Sequence, residues 1–583
     1  MNKYIKLFIV SIGLVSMYSC NDTIDLDTDG HTNSDEIWTD RNNTRGYLNN
    51  CYQHRIGGYL STEGFTDLAT SVEKNTVGSS YARWYNDDFS VNDFYAYNME
   101  GNLWSNFFEG IRKCNVFLEH VDGATGDETQ EEKDGWKAQA LTLRAYYYLE
   151  LMKRFGQVPL LLKDMGKGAD YSGVKKATVG EIAQQIIADC EAALAMPDTQ
   201  EGFSWNLQDN QNGMMTRGVC YALEAEAITY AKSPLFEDGT FTWDYAVQVT
   251  GNALNQLLSH GYELWTTVSP NHINEYDSYF AQTPYDKRAV DKETIYATNG
   301  QFNLSLSNGL PFVDGQSSAG LCPNQELIDC YDMKDGTEAV IGYKDAQHLQ
   351  INAGATYNDN DPYSNRDPRL AATVWFNGST QLPGGQGVEI QTYDGGNATL
   401  NTSGEGLKYT VTGYYMHKYI DGRSNKSVNY DGYIRTKRLA DIYFLFAECA
   451  YQASSADNQY SFGNLKISAK QAIDKVRARV GMPALPNGMD KSTFERRLRK
   501  ERAVEFAFEG KRQFDLRRWK SLSSYKVVTG MKAVKNGTAI KYERFVVDAR
   551  KNTDDKYLLF PLDNAEATKM ETITGNNWQN PGW

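Results

Sequence analysis

The sequence predicts a mainly α-helical protein in which tetratricopeptide-like helix pairs support a large irregular region with short strands. Apolar residues recur every three or four positions through the first half of the chain and again near its end, which is the period of an amphipathic helix. Residues 265–430 lack this period and are rich in Gly, Asn, Asp, Ser and Tyr. Small residues on some helices and large aromatic ones on others are typical of closely packed helix pairs, although no strict repeat is present.

The beginning of the chain has the pattern of an export signal. Two lysines precede an apolar run over residues 7–15, and a serine and Cys20 follow it. The run is too short to span a membrane, so residues 1–19 are predicted to be a signal peptide. A cysteine at this place is typical of bacterial lipoproteins and predicts lipidation of Cys20. The acidic residues 20–33 would then form a flexible tether.

Helices are predicted in order along the chain from apolar spacing and capping residues. Ser34 is the expected N-cap of the first helix, a second helix begins near Met99, and Gly156 ends the third. From the third onward the helices are predicted over residues 136–155, 178–195, 216–231, 243–258, 438–453, 469–480 and 493–509. Strand-like segments are predicted at 371–376 and 557–562.

These elements indicate one folded domain over residues 34–583. Its helical scaffold is expected to comprise 34–264 and 431–583, with the irregular region 265–430 between them. A stretch of this length without helical period inside a folded protein is more often a functional insertion than a linker. The irregular region is therefore the predicted ligand face.

Charge and composition restrict the class of partner. The chain carries a formal net charge of −15, and loss of the two signal-peptide lysines would make it −17. Such a surface repels nucleic acid and anionic lipid, so neutral or protein partners are expected. Aromatic residues make up 13% of the chain, with 38 tyrosines. Their rings suit either packing between helices or stacking on sugars.

The cysteines other than Cys20 indicate neither a disulfide framework nor a zinc site. They are seven in number and irregularly spaced, and most lie in apolar helical segments that suit small buried residues. Cys322 and Cys330 flank one short segment and could pair. No metal or cofactor is predicted.

Seven stretches, in order along nearly the whole chain, carry a resemblance to a known family. They are WSNFFEGIRKCNVFLE (104–119), ALTLRAYYYLELMKRFGQVPLL (140–161), PNQELIDCYDMKDG (323–336), NRDPRL (365–370), RLADIYFLFAE (438–448), LRKERAVEFAFEGKRQFDLRRW (498–519) and QNPG (579–582). In these stretches the sequence resembles the SusD/RagB outer-membrane lipoproteins of Bacteroidetes. The acidic residues after Cys20 resemble the tether of surface-exported lipoproteins in that group.

The resemblance implies a role as well as a SusD-like fold. Members of this family act as lids over a SusC-like TonB-dependent transporter and deliver oligosaccharides or polysaccharides to it without catalysis. The expected location is the outer membrane, with the lipid at Cys20 as anchor and the folded part at the cell surface. The cations of residues 512–519, and the group Arg366, Asp367 and Arg369, are expected to form structural ion pairs rather than to contact a ligand.

Sugar recognition needs an aromatic platform and a few hydrogen-bonding side chains in loops that a rigid scaffold holds. The resemblance places part of that platform in the loop before the 104–119 helix. The candidates there are Tyr81, Trp84 and Tyr85. Trp84 is expected to be exposed because serines and an Asn-Asp-Asp run flank it. The alternative is that Trp84 anchors its own loop to the helices.

The resemblance places the rest of the platform in the loops before residues 323–336. The candidates in these loops are Tyr279, Phe302 and Phe312. Asp67 and Asn303 are the candidate polar partners. The family motifs fix these positions by region and not residue by residue.

A calcium site is the alternative interpretation of the acidic segment. Asp25, Asp27, Asp29 and Glu36 match the carboxylate spacing of an EF-hand loop. No helix precedes them, and Thr32 stands where an apolar residue normally joins the partner loop. An acidic tether followed by a capped helix explains the same residues.

Two other functional classes remain alternatives. A glycan-degrading hydrolase needs two carboxylates across the scissile bond, and no motif singles out such a pair. The motifs of zinc proteases and of serine hydrolases are absent from the sequence. A structural or fimbrial surface lipoprotein would predict neither the seven stretches nor aromatic clusters in loops.

Overall fold

The structure is a computed structural model that describes residues 36–56, 60–96, 103–166, 168–198, 202–205, 213–270, 272–280, 290–302, 308–313, 316–380, 387–420 and 430–583. The predicted signal peptide and tether, with Cys20 and the carboxylates Asp25, Asp27 and Asp29, lie outside these residues, as does Asn303. The export and lipidation predictions therefore stay predictions.

Helices make up most of the regular structure. They are α1 (Arg41–Cys51), α2 (Ser80–Tyr85), α3 (Val91–Ala96), α4 (Leu103–His120), α5 (Gln130–Phe155), α6 (Val179–Leu194), α7 (Arg217–Ala231), α8 (Trp243–Ser259), α9 (Glu275–Phe280), α10 (Gln325–Cys330), α11 (Arg369–Thr373), α12 (Leu439–Ala453), α13 (Ala469–Ala478), α14 (Lys491–Glu505), α15 (Arg512–Arg518) and α16 (Asn564–Thr574). Short 3₁₀ helices lie at Glu36–Thr39, Tyr52–His54, Leu60–Phe65, Val72–Asn75, Val121–Gly123, Leu522–Tyr525 and Asp555–Leu558.

The strands pair as antiparallel two-stranded ribbons. These are β1 (Ala69–Ser71) with β3 (Leu321–Pro323), β2 (Thr294–Phe302) with β8 (Tyr430–Arg438), β4 (Val340–Asp345) with β5 (His348–Ile351), β6 (Val374–Trp375) with β7 (Tyr415–Met416), β9 (Gln459–Phe462) with β10 (Leu465–Ser468), and β11 (Val527–Asn536) with β12 (Ala539–Ala549). The predicted class, mainly helical with short strands in the irregular region, is confirmed. The ribbons β1–β3 and β2–β8 join that region to the helical scaffold.

Local sequence explains where the long helices begin and end. Thr129 before α5 and Thr178 before α6 each accept a hydrogen bond from the backbone N–H three residues on, and Glu132 and Glu181 accept bonds from the cap N–H groups in return. These reciprocal bonds satisfy donors that a helix start otherwise leaves unpaired. Gly156 ends α5 with a φ of 70°, as predicted.

Successive helices of the scaffold pack on one another, α4 on α5, α5 on α6, α6 on α7 and α7 on α8. Close approach depends on small residues opposite large rings. A Cβ at Gly110 of α4 would lie 2.7 Å from the ring of Tyr147 of α5, so only glycine fits there without a shift. Within the described residues, no helix has the length and apolarity that crossing a membrane requires.

Two elements of the structure begin later than the sequence predicts. The first α-helix begins at Arg41, and its N-cap is Asp40, whose carboxylate accepts from the Asn43 N–H, rather than Ser34. The strand-like segment 371–376 was too long, because α11 occupies residues up to Thr373 before the two-residue strand β6. The Asp367 carboxylate accepts the backbone N–H at the start of α11, which favours the helical turn.

The strand predicted at 557–562 is wrong. Residues up to Leu558 form a 3₁₀ helix, the Phe560 N–H donates to the Arg154 carbonyl, and the Leu562 N–H donates to the Gln579 side chain. The backbone groups of this segment thus bond to a helix end and a side chain instead of to a neighbouring strand. The pairing of Cys322 with Cys330 is also wrong, because both are free thiols.

A buried network of ion pairs connects the irregular region to the scaffold. Arg369 of α11 contacts Asp367 at 2.6 Å, Glu501 at 2.9 Å and Glu505 at 3.2 Å, and each of these side chains is almost fully buried. Arg438 at the end of β8 also contacts Glu505, at 2.7 Å. Burial alone would raise the pKa of Glu505, but the guanidinium groups of neighbouring arginines lower it to about 2.

Candidate functional site

Trp84 is part of the hydrophobic core and is not an exposed platform. Its side chain is 1% exposed, and its ring meets Phe65, Phe89 and Tyr557 edge-on, with centroids 4.9–5.5 Å apart. The predicted exposure of Trp84 is therefore wrong. The polar residues around it cap the short helix α2, whose apolar side packs inward.

Tyr85 and Tyr81 also serve the packing of this loop. Tyr85 is 2% exposed and its hydroxyl donates to the Gly64 carbonyl at 2.5 Å, while Arg550 lies over its ring at 4.2 Å. Tyr81 is half-buried and stacks on Phe65 with centroids 4.6 Å apart. Trp84 and Tyr85 therefore present no ring to a ligand, whereas glycan contact by the half-buried Tyr81 stays a prediction.

Asp67 is paired with a cation instead of facing a ligand. It is buried, and its two carboxylate oxygens accept bonds from Arg512 at 2.9 and 2.7 Å. The prediction that residues 512–519 form structural ion pairs is confirmed here and at Arg518, which contacts Glu448. Arg366 differs from that prediction, because it donates to the backbone carbonyls of residues 328, 331 and 362.

The later loop candidates are divided among core, half-buried and undescribed residues. Tyr279 is 1% exposed, with the guanidinium of Arg435 4.0 Å from its ring centroid. Phe312 is half-buried against the core of the irregular region. Phe302 is the last residue of β2, opposite Tyr430. The side chain of Phe302 and the whole of Asn303 are outside the described residues, so glycan contact by either stays a prediction.

A different set of aromatic side chains is accessible and lies along the β11–β12 hairpin. Tyr542 and Arg544 are two residues apart on β12 and so share one face, about 7 Å apart. Tyr343 of β4 lies over Arg544, with 5.2 Å between the guanidinium carbon and the ring centroid. Tyr363 meets Tyr542 edge-on, with centroids 5.2 Å apart.

The same hairpin face continues onto β11. Lys535 is opposite Ile540, two residues before Tyr542, and directly opposed residues of an antiparallel pair share a face. The ring of Tyr393 lies 4.5 Å from the Lys535 ammonium. Tyr343, Tyr363 and Tyr393 of the irregular region therefore meet the hairpin face, together with Tyr542. We name these four residues the tyrosine row.

The rings of the tyrosine row are partly open to solvent and held in place. Tyr343 is 48% exposed and the other three are half-buried. The Tyr343 hydroxyl donates to Asp329 at 3.0 Å, and the Tyr542 hydroxyl accepts from the Asn377 amide at 3.3 Å. Fixed rings lose little conformational entropy when a ligand stacks on them.

Tyr363 and Tyr393 are held in a similar way. Tyr363 stacks on Phe376 with centroids 4.2 Å apart, and its hydroxyl lies 3.1 Å from that of Tyr414. The Tyr393 hydroxyl accepts from Lys535 at 3.1 Å. The row thus combines apolar ring surface with amide, ammonium and hydroxyl groups, which are the components of a saccharide site.

A largely buried carboxylate, that of Glu326, pairs with the Arg544 guanidinium that lies under Tyr343. Glu326 of α10 contacts Arg544 at 3.1 Å and accepts the Thr529 hydroxyl at 2.6 Å. Burial raises the pKa of Glu326 to about 7, against the opposing effect of Arg544. Among the described residues no group of three or more His, Cys, Asp or Glu side chains could hold a metal ion.

Sequence reasoning did not single out the tyrosine row. Three of its members lie in residues 265–430, which the sequence predicts to be the ligand face; that assignment stays a prediction. The alternation of residues 539–549 around Tyr542 is the signal that could have found the supporting hairpin, since it has the two-residue period of a strand.

Comparison with solved structures identifies the fold. A SusD-like protein from Bacteroides fragilis NCTC 9343 has a TM-score of 0.74 at 23% identity, covering 94% of this chain and 99% of its own. A SusD-like carbohydrate-binding protein from the same organism gives 0.64 at 18%, covering 93% and 99%. Surface glycan-binding protein A from Bacteroides fluxus gives 0.57 at 17%, covering 94% and 100%. The fold is therefore that of SusD-like proteins.

Comparison with models of protein families shows the family to which the chain belongs. The model of the SusD family matches residues 280–583, more than half of the chain. A second model, described as starch-binding associating with outer membrane, matches residues 33–207. The chain belongs to the SusD family. No curated protein matches it.

Proposed function

We propose that this protein captures neutral oligosaccharides or polysaccharides on the tyrosine row and delivers them to a SusC-like TonB-dependent transporter of the outer membrane. The observation that carries the proposal is the row itself, with four fixed and partly open rings beside amide and ammonium groups. Stacking on sugar faces supplies affinity, and the polar groups select among sugars.

Membership of the SusD family supports the proposed partner and place. The second family description associates its members with the outer membrane and with starch, and related structures are described as carbohydrate-binding or glycan-binding. In this proposal the lipid on Cys20 anchors the chain at the cell surface. No catalytic step is assigned to the protein.

The first test is binding by the Tyr343→Ala variant. Electrophoresis through gels that contain soluble starch, xylan or a neutral mannan measures retardation of the full-length protein in detergent. We expect at least one glycan to retard the wild type, and Tyr343→Ala to weaken that affinity about two- to tenfold, since an aromatic contact contributes about 0.5–1.5 kcal/mol.

The matched control is Tyr245→Ala. Tyr245 is 41% exposed and stacks on Phe241, away from the hairpin, so the control removes a similar ring. Equal retardation of wild type and Tyr343→Ala would exclude Tyr343 from the site. Absence of retardation by every glycan would contradict glycan capture.

Two further measurements test delivery and catalysis. Affinity purification from outer membranes should recover a TonB-dependent transporter with the protein, and recovery without one would contradict the lid role. Incubation with the bound glycan should release no reducing ends. Their release would favour a glycan-degrading hydrolase instead.

A further inference from the structure

A groove along α4, whose lining contains no residue of the tyrosine row, has the size of a small-molecule site. Its volume is about 320 Å³ between α4, loop residues 161–165 and 171, and α16, which falls in the usual range of about 300–1,000 Å³ for ligand pockets. Phe108 and Tyr171 are half-buried in its lining, and Trp104 lies beneath with its centroid 4.8 Å from that of Phe108.

The walls of this groove are fixed by hydrogen bonds. The Asn115 amide donates to the Leu161 carbonyl at 2.8 Å, and Arg112 donates to Asp164 at 3.0 Å. The Asp164 N–H donates to Glu119 at 2.9 Å. These bonds hold residues 161–164 against α4, so this wall of the groove is formed before any ligand enters.

The polar lining of the groove carries both signs of charge in equal number. Its cations and anions are Arg112, Lys163, Lys569, Glu109, Asp164 and Glu566. Such a lining offers both donors and acceptors and has no net formal charge, so it gives no electrostatic preference for a ligand of either sign. Sugar hydroxyls donate and accept at the same oxygen, which suits this arrangement.

We propose that the α4 groove is a second binding site for a neutral saccharide, separate from the tyrosine row. The rings of Phe108 and Tyr171 contact the apolar faces of the sugar, and the charged side chains bond its hydroxyls. The proposal shares with the proposed function only the chemical class of the ligand, because no residue of the row lines the groove. Two sites on one surface protein raise the avidity for a long glycan.

The test is calorimetric titration of the full-length protein in detergent with maltohexaose, cellohexaose, xylohexaose and mannohexaose. We expect at least one of these probes to bind the wild type at two classes of site. The double variant Phe108→Ala, Tyr171→Ala should remove one class. Tyr343→Ala should weaken the other class and leave the first unchanged.

A second variant blocks the groove while leaving the packing of Phe108 unchanged. Ser105 is exposed and lines the groove, so Ser105→Trp fills the space without removing a core contact. It should abolish the same class of site at an unchanged thermal midpoint. Tyr245→Ala is again the matched control and should bind like the wild type.

The outcomes separate the two sites. A single class of site that Tyr343→Ala weakens and both groove variants leave intact overturns the groove proposal and supports the tyrosine row. A single class that the groove variants abolish and Tyr343→Ala leaves intact supports the groove and overturns the row. Binding of none of the four probes overturns the groove as a site for neutral hexasaccharides.

Discussion

Glu63 is a single buried carboxylate that links the stability of the protein to pH. It is fully buried, its Oε1 accepts the Gly510 N–H at 2.9 Å, and its Oε2 has no hydrogen-bond partner. Burial raises its pKa from 4.5 to about 8, although Arg512 and Lys418 oppose the rise. The folded protein therefore holds a proton here that the unfolded chain releases above its ordinary pKa.

The consequence is a loss of stability as the pH rises. The stabilisation by the bound proton is full below pH 4.5 and is lost as the pH approaches about 8. Glu63→Gln removes this titration, so the difference in unfolding free energy between pH 5 and pH 8 should shrink by an amount on the order of a few kcal/mol. Urea denaturation of wild type and variant at both pH values measures this difference. If it is the same in the two proteins, the pKa of Glu63 is not raised.

Burial also decides what an aromatic or acidic residue does. Polar runs flank Trp84 in the sequence, yet Trp84 packs in the core. Asp67, a candidate ligand contact, pairs with Arg512. Arg512 lies 445 positions further along the chain. A pattern of neighbouring residues cannot reveal a partner so far away in the chain. The roles of these two side chains could therefore not be predicted from the sequence.

At the scale of elements, helix starts follow local chemistry closely. Thr178 and Glu181 form the capping box of α6, and the sequence prediction of this helix starts at Thr178. Both bonds connect residues only three positions apart, so they do not depend on distant packing.

We expect Thr178→Ala to lower the unfolding free energy by about 1 kcal/mol, because it leaves a helix N–H without its acceptor. Thr178→Ser keeps the hydroxyl and should remain close to the wild type. Denaturant unfolding measures both variants. Equal losses in the two would indicate that the methyl group, and not the cap bond, stabilises the helix start.

Strands follow local chemistry less closely than helices. The 557–562 segment has strand-like residues, but its N–H groups bond to Arg154 and Gln579. The β11–β12 hairpin was not predicted, although its two strands of 10 and 11 residues are the longest that the described residues contain. A strand needs a partner, and pairing is a property of the fold rather than of the segment.

At the scale of the whole molecule, the buried ion network joins parts of the chain that are distant in sequence. Arg369 connects the irregular region to Glu501 and Glu505 of α14, more than 130 residues away. Removing one member of such a network leaves buried charges without a partner. The network therefore couples the stability of the irregular region to that of the helical scaffold.

We expect Arg369→Met to lower the unfolding free energy by about 3–5 kcal/mol, the usual cost of a broken buried pair. Arg112→Met is the matched control, because its ion pair with Asp164 is largely exposed at the arginine and should contribute about 0–1 kcal/mol.

Wild-type unfolding should follow one transition by both near- and far-ultraviolet circular dichroism. Two separate transitions would contradict the single domain predicted over 34–583.

The sequence by itself determined the helical class, the approximate bounds of the long helices and the irregular middle region, because each rests on the spacing of apolar residues or on contacts between neighbours. Its motifs also carry the family resemblance. Only the tertiary structure decided which rings are free. Stacking, ion pairing and burial depend on residues hundreds of positions apart, so Trp84 and Tyr279 became core residues while Tyr343 and Tyr542 became an accessible row on a hairpin face.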